Sequence, residues 1–303
     1  MEAAVPLTVF RRALCEAWQL GFNISRLPEL LGVSRPTYYK LLRGYTSEQG
    51  IRIRFVANVE AFGYRVVLVE GPSRGGAGAG FADALDLGSM HKVAILYVEA
   101  QEARAHSSIL DLLGLNAIGP LTIKRVYCPP TGTVVEARPR HYKPRWEETL
   151  FAMEASESFT TTRELAAKLG LSWQRVTRLL LDSKRKGTLV APLIYPEPSS
   201  DKGTVGVVVV LDEQPDPGIV WSLSEWPLVE LTGENGGPPY VLLGVASITG
   251  VLALANRREP GVIRRILLSP RHPLPPFKPP HTMPRPPARP WRAVPARQPN
   301  PGD

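Results

Sequence analysis

The sequence contains no apolar run of the length that a membrane-spanning helix needs, which is about 18–20 residues. Its longest apolar run, Val205 to Leu211, is interrupted by Gly206 and is followed by two acidic residues. The first residues include Glu2 and have neither the cationic start nor the small-residue cleavage motif of a secretion signal. We therefore expect a cytoplasmic protein with no membrane partner.

Cysteine and histidine are scarce as well. Cys15 and Cys128 are the two cysteines, and no residues with metal-ligand spacing surround either one. The five histidines are spread over the whole chain: His91, His106, His141, His272 and His281. This pattern predicts no metal site and no cofactor, with both cysteines packed as small apolar side chains in a reducing compartment.

Residue patterns that would indicate catalysis are also absent. The serine pairs at 107–108 and 199–200 have neither a neighbouring base nor a glycine elbow, so they do not indicate a nucleophile. Glu147 and Glu148 stand at the predicted start of a helix, where carboxylates favour the positive end of the dipole. We therefore predict no catalytic residue and no enzymatic activity.

The chain instead has an excess of cations, with a formal net charge of +8, and part of that excess lies in residues 271–303. This segment is dense in proline, which removes backbone donors and favours an extended chain. We predict a disordered basic tail. Its role is open between an arm that binds phosphates and a solubilising segment.

A segment near the middle of the chain has the pattern of two helices joined by a glycine turn. Thr161 or Thr162 can cap the first helix, Gly170 can end it, and Ser172 can cap the second. Apolar residues at helical spacing leave a cationic face outward, as in a helix-turn-helix that reads the major groove. The residues predicted to contact DNA here are Ser172, Trp173, Gln174, Arg175, Thr177 and Arg178, with Lys184, Arg185 and Lys186 entering a wing.

The same pattern occurs earlier, with Gly32 at the turn and Ser34 as the cap. Pro36 falls in the first turn of the second helix, where its missing N–H has no cost. The predicted DNA contacts of this first unit are Ser34, Arg35, Thr37, Tyr38, Lys40 and Arg43.

Each of these units precedes a segment with strand periodicity. After the second unit, strands are predicted at 205–211, 228–231, 240–246 and 262–268, with helices near 217–224 and 248–257. That order is the β-α-β-β-α-β plan of a ferredoxin-like module. After the first unit the copy is looser, with strands at 51–59, 65–70, 92–99 and 121–127 and a helix at 102–113. The glycines from Gly75 to Gly80 lack the Gly-Lys-Ser/Thr of a phosphate loop and predict a flexible loop or a frayed helix start.

The predicted fold is therefore α+β, with two winged helix-turn-helix units that are each followed by a ferredoxin-like module. The predicted domains are a first winged unit (1–50), a degenerate first module (51–135), a basic linker (136–146), a second winged unit (147–198), a second module (199–270) and the tail (271–303). The linker interleaves cations with Tyr142 and Trp146, and it either follows the DNA backbone or is a solvated hinge.

In the residues from Gly50 to Tyr64, from Pro227 to Gly233 and from Tyr240 to Val245, the chain resembles the feast/famine (Lrp/AsnC-like) regulators of bacteria and archaea. The resemblance implies a sequence-specific transcription regulator that binds double-stranded DNA, with the ferredoxin-like modules pairing or sensing a small-molecule effector. Family members usually carry one copy, so two copies in one chain would correspond to a dimer made covalent. The copies would then pair within the chain, or several chains would form a homo-oligomer. Val241 stands where the family commonly has an acidic residue, which puts amino-acid sensing in doubt.

Two alternatives stay open. The sirohaem decarboxylases share this architecture, and a resemblance to them would imply tetrapyrrole binding through histidine, tyrosine and arginine in the central strands. Against it, the second module has no histidine near its cleft, and His91 is isolated in the first. In the other alternative, the winged units bind acidic proteins and the chain is a scaffold. Binding to DNA, and its loss with salt, separates a regulator from a scaffold.

Overall fold

A computed structural model describes residues 5–19, 26–72, 81–86, 89–112, 114–138, 143–159, 161–199, 202–256 and 262–279. The predictions for Gly75–Gly80, His141 and residues 280–303 lie outside this range. Within the described residues, no helix combines the length and the apolar character needed to cross a membrane.

The helices and strands alternate along the chain. The helices are α1 (Leu7–Gln19), α2 (Leu27–Leu30), α3 (Arg35–Arg43), α4 (Ala103–Leu112), α5 (Trp146–Glu157), α6 (Thr162–Leu169), α7 (Trp173–Lys186), α8 (Pro217–Leu223) and α9 (Ile248–Asn256). The strands are β1 (Ile51–Ala57), β2 (Tyr64–Pro72), β3 (Phe81–Asp86), β4 (Ser89–Glu99), β5 (Asn116–Cys128), β6 (Thr133–Glu136), β7 (Leu189–Pro196), β8 (Thr204–Leu211), β9 (Leu228–Thr232), β10 (Tyr240–Ser247) and β11 (Ile263–Ser269).

The two helix-turn-helix segments form where their caps predict them. Ser34 accepts a hydrogen bond from the backbone N–H of Thr37, and Ser172 accepts one from that of Arg175. Gly32 and Gly170 have φ values of 64° and 65°, a left-handed conformation that favours glycine. These local signals therefore fix both turns and the start of both second helices.

A two-stranded ribbon joins the two helical units. Strand β1 of the first unit pairs antiparallel with β7 of the second, with Ile53 opposite Ile194. Helix α1 packs on β7, and α5 packs on β1, so each unit covers the strand of the other.

The second module has the predicted β-α-β-β-α-β order, from β8 to β11. The first module departs from this order. Strand β3 lies between β2 and β4 in the chain, and among the described residues no helix separates these strands. In the described part of the chain, β3 pairs with β11 and β9 pairs with β5, while β5 also pairs with β2. The strands thus curl into a closed antiparallel ring in the order β2-β4-β3-β11-β8-β10-β9-β5, with β6 beside β5.

The ring has two differently covered faces. Its inner face carries apolar residues such as Leu68, Val208 and Leu243, which belong to the same core as the helical units. Helices α8 and α9 cover part of the outer face, and α4 packs on another part around Val67. Cys15 and Cys128 are free thiols buried in the large core, as predicted.

The first part of the predicted disordered tail is packed. Phe277 is 1% exposed and lies among the rings of Phe62, Tyr64 and Tyr97, with centroid distances of 4.9, 5.8 and 5.6 Å. The backbone N–H of Phe277 donates to Ser156 Oγ over 2.8 Å. The prediction of disorder from residue 271 is therefore wrong up to residue 279, because apolar side chains between the prolines have a place to pack.

The structure is thus a mixed α+β chain with a curled antiparallel sheet, consistent with a winged-helix and ferredoxin-like class. The division into independent domains stays a prediction, since the ribbon and the ring each combine strands from both halves.

Candidate active site

A buried carboxylate lies on the outer face of the ring, where the two modules meet. Glu230 occupies the centre of β9, a strand that is otherwise apolar or threonine, and its residue is 0% exposed. Register places Arg125 of β5 and Leu242 of β10 opposite it on the two neighbouring strands. A charge in such a position requires polar partners, because burying an unpaired carboxylate costs several kcal/mol.

Two side chains of β5 supply those partners. The hydroxyl of Tyr127 donates to Glu230 Oε2 over 2.5 Å, and Tyr127 itself is 1% exposed. Arg125 Nε lies 3.2 Å from the same oxygen, close enough for an ion pair. The side chain of Arg125 remains 18% exposed, so it connects the buried carboxylate with the solvent.

The site retains unused hydrogen-bonding capacity. Glu230 Oε1 and Thr232 Oγ1 are buried and have no hydrogen-bond partner among the described residues. Thr232 follows Glu230 at i+2 on the strand, so both side chains point to the same face. Unsatisfied polar atoms are rare in folded proteins, and these two mark a place where a ligand or water can bind.

Burial shifts both acidic groups toward their protonated forms. The pKa of Glu230 is raised mainly because burial disfavours the charged carboxylate, while the hydrogen bond from Tyr127 and the charge of Arg125 act in the opposite direction. The pKa of Tyr127 is raised by burial and by its hydrogen bond to Glu230. A carboxyl whose pKa is raised in this way holds its proton more tightly than it would in water, which suits it to general-acid chemistry.

Aromatic and cationic residues surround this group. The ring of Trp221 on α8 meets that of Tyr127 edge to face, with centroids 5.5 Å apart. The charge of Lys124 lowers the pKa of Glu230 and so lies within electrostatic reach. Arg104 of α4 forms an ion pair with Glu234 in the loop after β9. An aromatic side chain and a cation thus lie near the buried carboxyl.

Sequence reasoning did not identify this site. The strands 121–127 and 228–231 are predicted, yet none of Arg125, Tyr127 and Glu230 is predicted as functional. The available signal was the glutamate in Leu-Val-Glu-Leu-Thr, because a charge within an apolar strand requires a partner. Nothing in the sequence states that this partner lies on β5.

The cations predicted to bind DNA from the second unit are largely engaged within the chain. Arg175 forms an ion pair with Glu147, and Lys186 forms one with Glu148. Arg185 pairs with Asp182 over 3.0 Å, and Lys184 donates to the carbonyls of Trp18 and Gln19 at the end of α1. Of the residues predicted to bind DNA in this unit, Ser172, Trp173, Gln174, Arg178 and Arg185 are exposed, and Thr177 is half-buried.

The first unit differs from its prediction in one residue. Tyr38 is buried and stacks on Phe10, with centroids 6.2 Å apart, so it belongs to the core and faces away from any partner. The other predicted residues lie at the surface of α3 or its cap, with Ser34, Arg35, Lys40 and Arg43 exposed and Thr37 half-buried. The structure thus brings none of the predicted residues to the Glu230 site.

No protein-family model and no curated protein matches the sequence. Two solved structures are similar, and both are of the siroheme decarboxylase NirDL. One is a co-complex with an iron-uroporphyrin III analogue, at 13% identity over 89% of this chain and 88% of that one, with a TM-score of 0.44. The other has 12% identity over 86% of this chain and 91% of that one, with a TM-score of 0.47.

These comparisons correct three predictions. Both similar structures are of an enzyme from the group that the sequence analysis held only as an alternative. The identification with Lrp/AsnC-like regulators, the function as a DNA-binding regulator and the absence of enzymatic activity are therefore wrong. The physical reason for the error is that capped helices with outward cations also occur where those cations pair with the chain's own carboxylates, as Arg175 does with Glu147.

Proposed function

We propose that this chain is an enzyme of the decarboxylase type that acts at the Glu230 site, with a sirohaem-like tetrapyrrole as the first substrate class to test. In this proposal the chain consists of two fused winged-helix and ferredoxin-like copies, whose seam forms the site. The supporting observation is the buried Glu230 carboxyl with a raised pKa, held by Tyr127 beside the partly exposed Arg125.

The chemistry of a decarboxylation requires an anion-binding group and a proton donor. The bond between carbon and the substrate carboxylate breaks, carbon dioxide leaves, and the electron pair stays on the carbon until a proton arrives. Arg125 can bind the substrate carboxylate through its fork of N–H donors. Glu230, protonated at Oε1, can deliver the proton and then be protonated again from water.

Substrate binding would itself prepare Glu230 for this role. In the free protein, the charge of Arg125 lowers the pKa of Glu230. When Arg125 pairs with a substrate carboxylate, this opposing effect weakens and the pKa of Glu230 rises further. Tyr127 keeps Oε2 in place through its hydrogen bond, which leaves Oε1 buried and without a hydrogen-bond partner among the described residues.

Two grounds suggest the substrate class: the resemblance to sirohaem decarboxylases that the sequence leaves as an alternative, and the aromatic and cationic residues near Glu230. A tetrapyrrole with several carboxylates offers a flat ring to Trp221 and negative charge to Arg125 and Lys124. In one of the two similar structures, NirDL is in co-complex with an iron-uroporphyrin III analogue, so that compound is included among the test ligands.

The test is a titration of the purified chain with sirohaem and with iron-uroporphyrin III under anaerobic conditions. Binding is followed by the visible spectrum, and carbon dioxide loss is followed by the mass of the product. We expect Arg125→Gln to weaken tetrapyrrole binding. We expect Glu230→Gln to bind the tetrapyrrole but to catalyse carbon dioxide loss about 10²–10⁴-fold more slowly, which is the usual contribution of a general acid.

Glu213→Gln is the matched control, because this exposed carboxyl follows β8 and is not among the charges that act on Glu230. Absence of any spectral change with either tetrapyrrole would exclude this substrate class. An unchanged rate in Glu230→Gln would exclude the assigned proton donor.

A further inference from the structure

A cleft distinct from the Glu230 site lies at one end of the β1–β7 ribbon. It has a volume of about 670 Å³ and lies between the last turns of α1 and α7, strand β6 and the start of β7. Sites for small molecules commonly have volumes of about 300–1,000 Å³. The cleft is therefore large enough to enclose a small organic ligand.

One part of the cleft is apolar, and a hydrogen bond fixes the orientation of its aromatic ring. Trp18 is 2% exposed, and its indole N–H donates to the carbonyl of Val190 over 2.6 Å. Val134 and Leu181 also line the cleft and are 37% and 42% exposed. Exposed aliphatic side chains next to an aromatic ring provide a surface for an apolar ligand group.

The other part of the cleft is cationic. Arg138, Lys184 and Arg185 line it together with a single carboxylate, Glu136. The ammonium group of Lys184 donates to two carbonyls at the end of α1, and because an ammonium has three donors, one hydrogen remains. Burial lowers the pKa of Lys184, so an anion placed beside it would favour its charged form.

The equivalent place in the second unit is filled by the chain itself. The offset that matches Gly32 with Gly170 and Ser34 with Ser172 also matches Trp18 with Ser156. At Ser156 the small side chain accepts a hydrogen bond from the backbone of Phe277, and Arg54 donates to the carbonyl of Leu274 over 2.6 Å. One end of the ribbon is thus closed by residues 272–277, whereas the Trp18 end keeps an open cleft.

We propose that the Trp18 cleft binds a small organic anion, in which a carboxylate or sulfonate is attached to an apolar or aromatic body. The acidic group lies near Arg138 and Lys184, and the body lies along the exposed side chains of Val134 and Leu181. The basic segment beyond residue 279 does not fit this description, because its charge has the same sign as that of the cleft.

The experiment is isothermal titration calorimetry of the full chain with 2-naphthoate, and with 2-naphthalenemethanol as the uncharged counterpart. We expect naphthoate to bind at micromolar concentrations, to bind more weakly as salt increases, and to bind at least about tenfold more tightly than the alcohol. Equal affinities for the two compounds would overturn the assignment of an anion site.

Two variants locate the binding. Arg138→Gln removes a cation from the cleft, and Leu181→Ser removes an exposed apolar group, so each should weaken naphthoate binding. Arg178→Gln on the exposed face of α7 and Leu252→Ser on α9 are the matched controls, since neither residue lines the cleft. The proposal is wrong if the controls reduce affinity as much as the cleft variants. Tetrapyrrole turnover is measured separately, and its failure would leave this result unaffected.

Discussion

Tyr127 and Glu230 connect the two halves of the closed sheet, because the phenol of one module donates its hydrogen bond to the buried carboxyl of the other. The two residues are 103 positions apart in the chain and lie on neighbouring strands. The same contact that holds the seam between the modules therefore also positions the acid of the proposed site. A substitution that removes this hydrogen bond should therefore affect both the stability of the chain and its activity.

Tyr127→Phe removes this hydrogen bond and keeps the ring in place. We expect the free energy of unfolding to fall by about 1–3 kcal/mol, because a buried oxygen of Glu230 loses its donor. Urea unfolding followed by circular dichroism measures the change. Tyr240→Phe is the control, since Tyr240 is half-buried at the edge of the same face, and a loss of equal size there would contradict the prediction.

Glu230→Gln should alter how stability depends on pH. Burial raises the pKa of Glu230 in the folded protein above its ordinary 4.5. The folded state therefore favours the protonated acid, and this contribution is complete below pH 4.5 and is lost as the pH rises through the raised value. As the pH rises through this value, the free energy of unfolding of the natural chain should therefore decline relative to that of Glu230→Gln.

Unfolding at a series of pH values measures this difference. The control Glu213→Gln concerns an exposed carboxyl whose charge does not act on Glu230, and it should follow the natural chain. A constant difference between the natural chain and Glu230→Gln across the series would contradict the pKa shift.

His272 should make the folded state sensitive to acid. Its half-buried ring packs against Tyr195 and lies beside Arg54, and desolvation followed by the charge of Arg54 holds its pKa well below the ordinary 6.5. The neutral ring is favoured, so its contribution is present above pH 6.5 and is lost as the pH falls toward the lowered value.

We expect His272→Gln to unfold with less dependence on pH below 6.5 than the natural chain, since glutamine can accept a hydrogen bond without titrating. His106→Gln, at an exposed position on α4, is the comparison. If both variants show the same dependence, His272 is not the residue that titrates.

Phe277→Ala should show that the segment after β11 is part of the core. Removing a buried phenylalanine typically costs about 3–5 kcal/mol. The neighbouring Lys278 is 63% exposed and lies 3.8 Å from Glu157, so Lys278→Ala should cost at most about 1 kcal/mol. Thermal unfolding of the two variants compares these values, and similar melting temperatures would show that Phe277 does not pack as described.

The sequence predicts those parts of the fold whose causes are local. Serine caps and glycine turns specify the starts of α3 and α7 within a few residues, and short apolar runs bounded by polar residues or glycine specify β8 and β10. The packing of Phe277 is not local, because it depends on the space beside Ser156 and on three distant aromatic rings. Proline content alone therefore predicts disorder where the chain is ordered.

The candidate site was not predictable for the same reason. Glu230, Arg125 and Tyr127 come together only through the pairing of β5 with β9, which no pattern within either strand specifies. The predicted DNA-binding residues are a different case. Their helix is correct, but the partners of Arg175 and Lys186 lie on α5, so the sequence shows the charges without the carboxylates that neutralise them.

The ring of strands also determines the order in which a newly synthesised chain can complete its fold. Strands β3 and β5 emerge from the ribosome long before their partners β11 and β9, so until then the first half carries two unpaired edges. Such edges invite pairing with other chains, and contacts between residues far apart in sequence form slowly. We therefore expect the nascent first half to be more prone to aggregation than the complete chain until β9 and β11 have been synthesised.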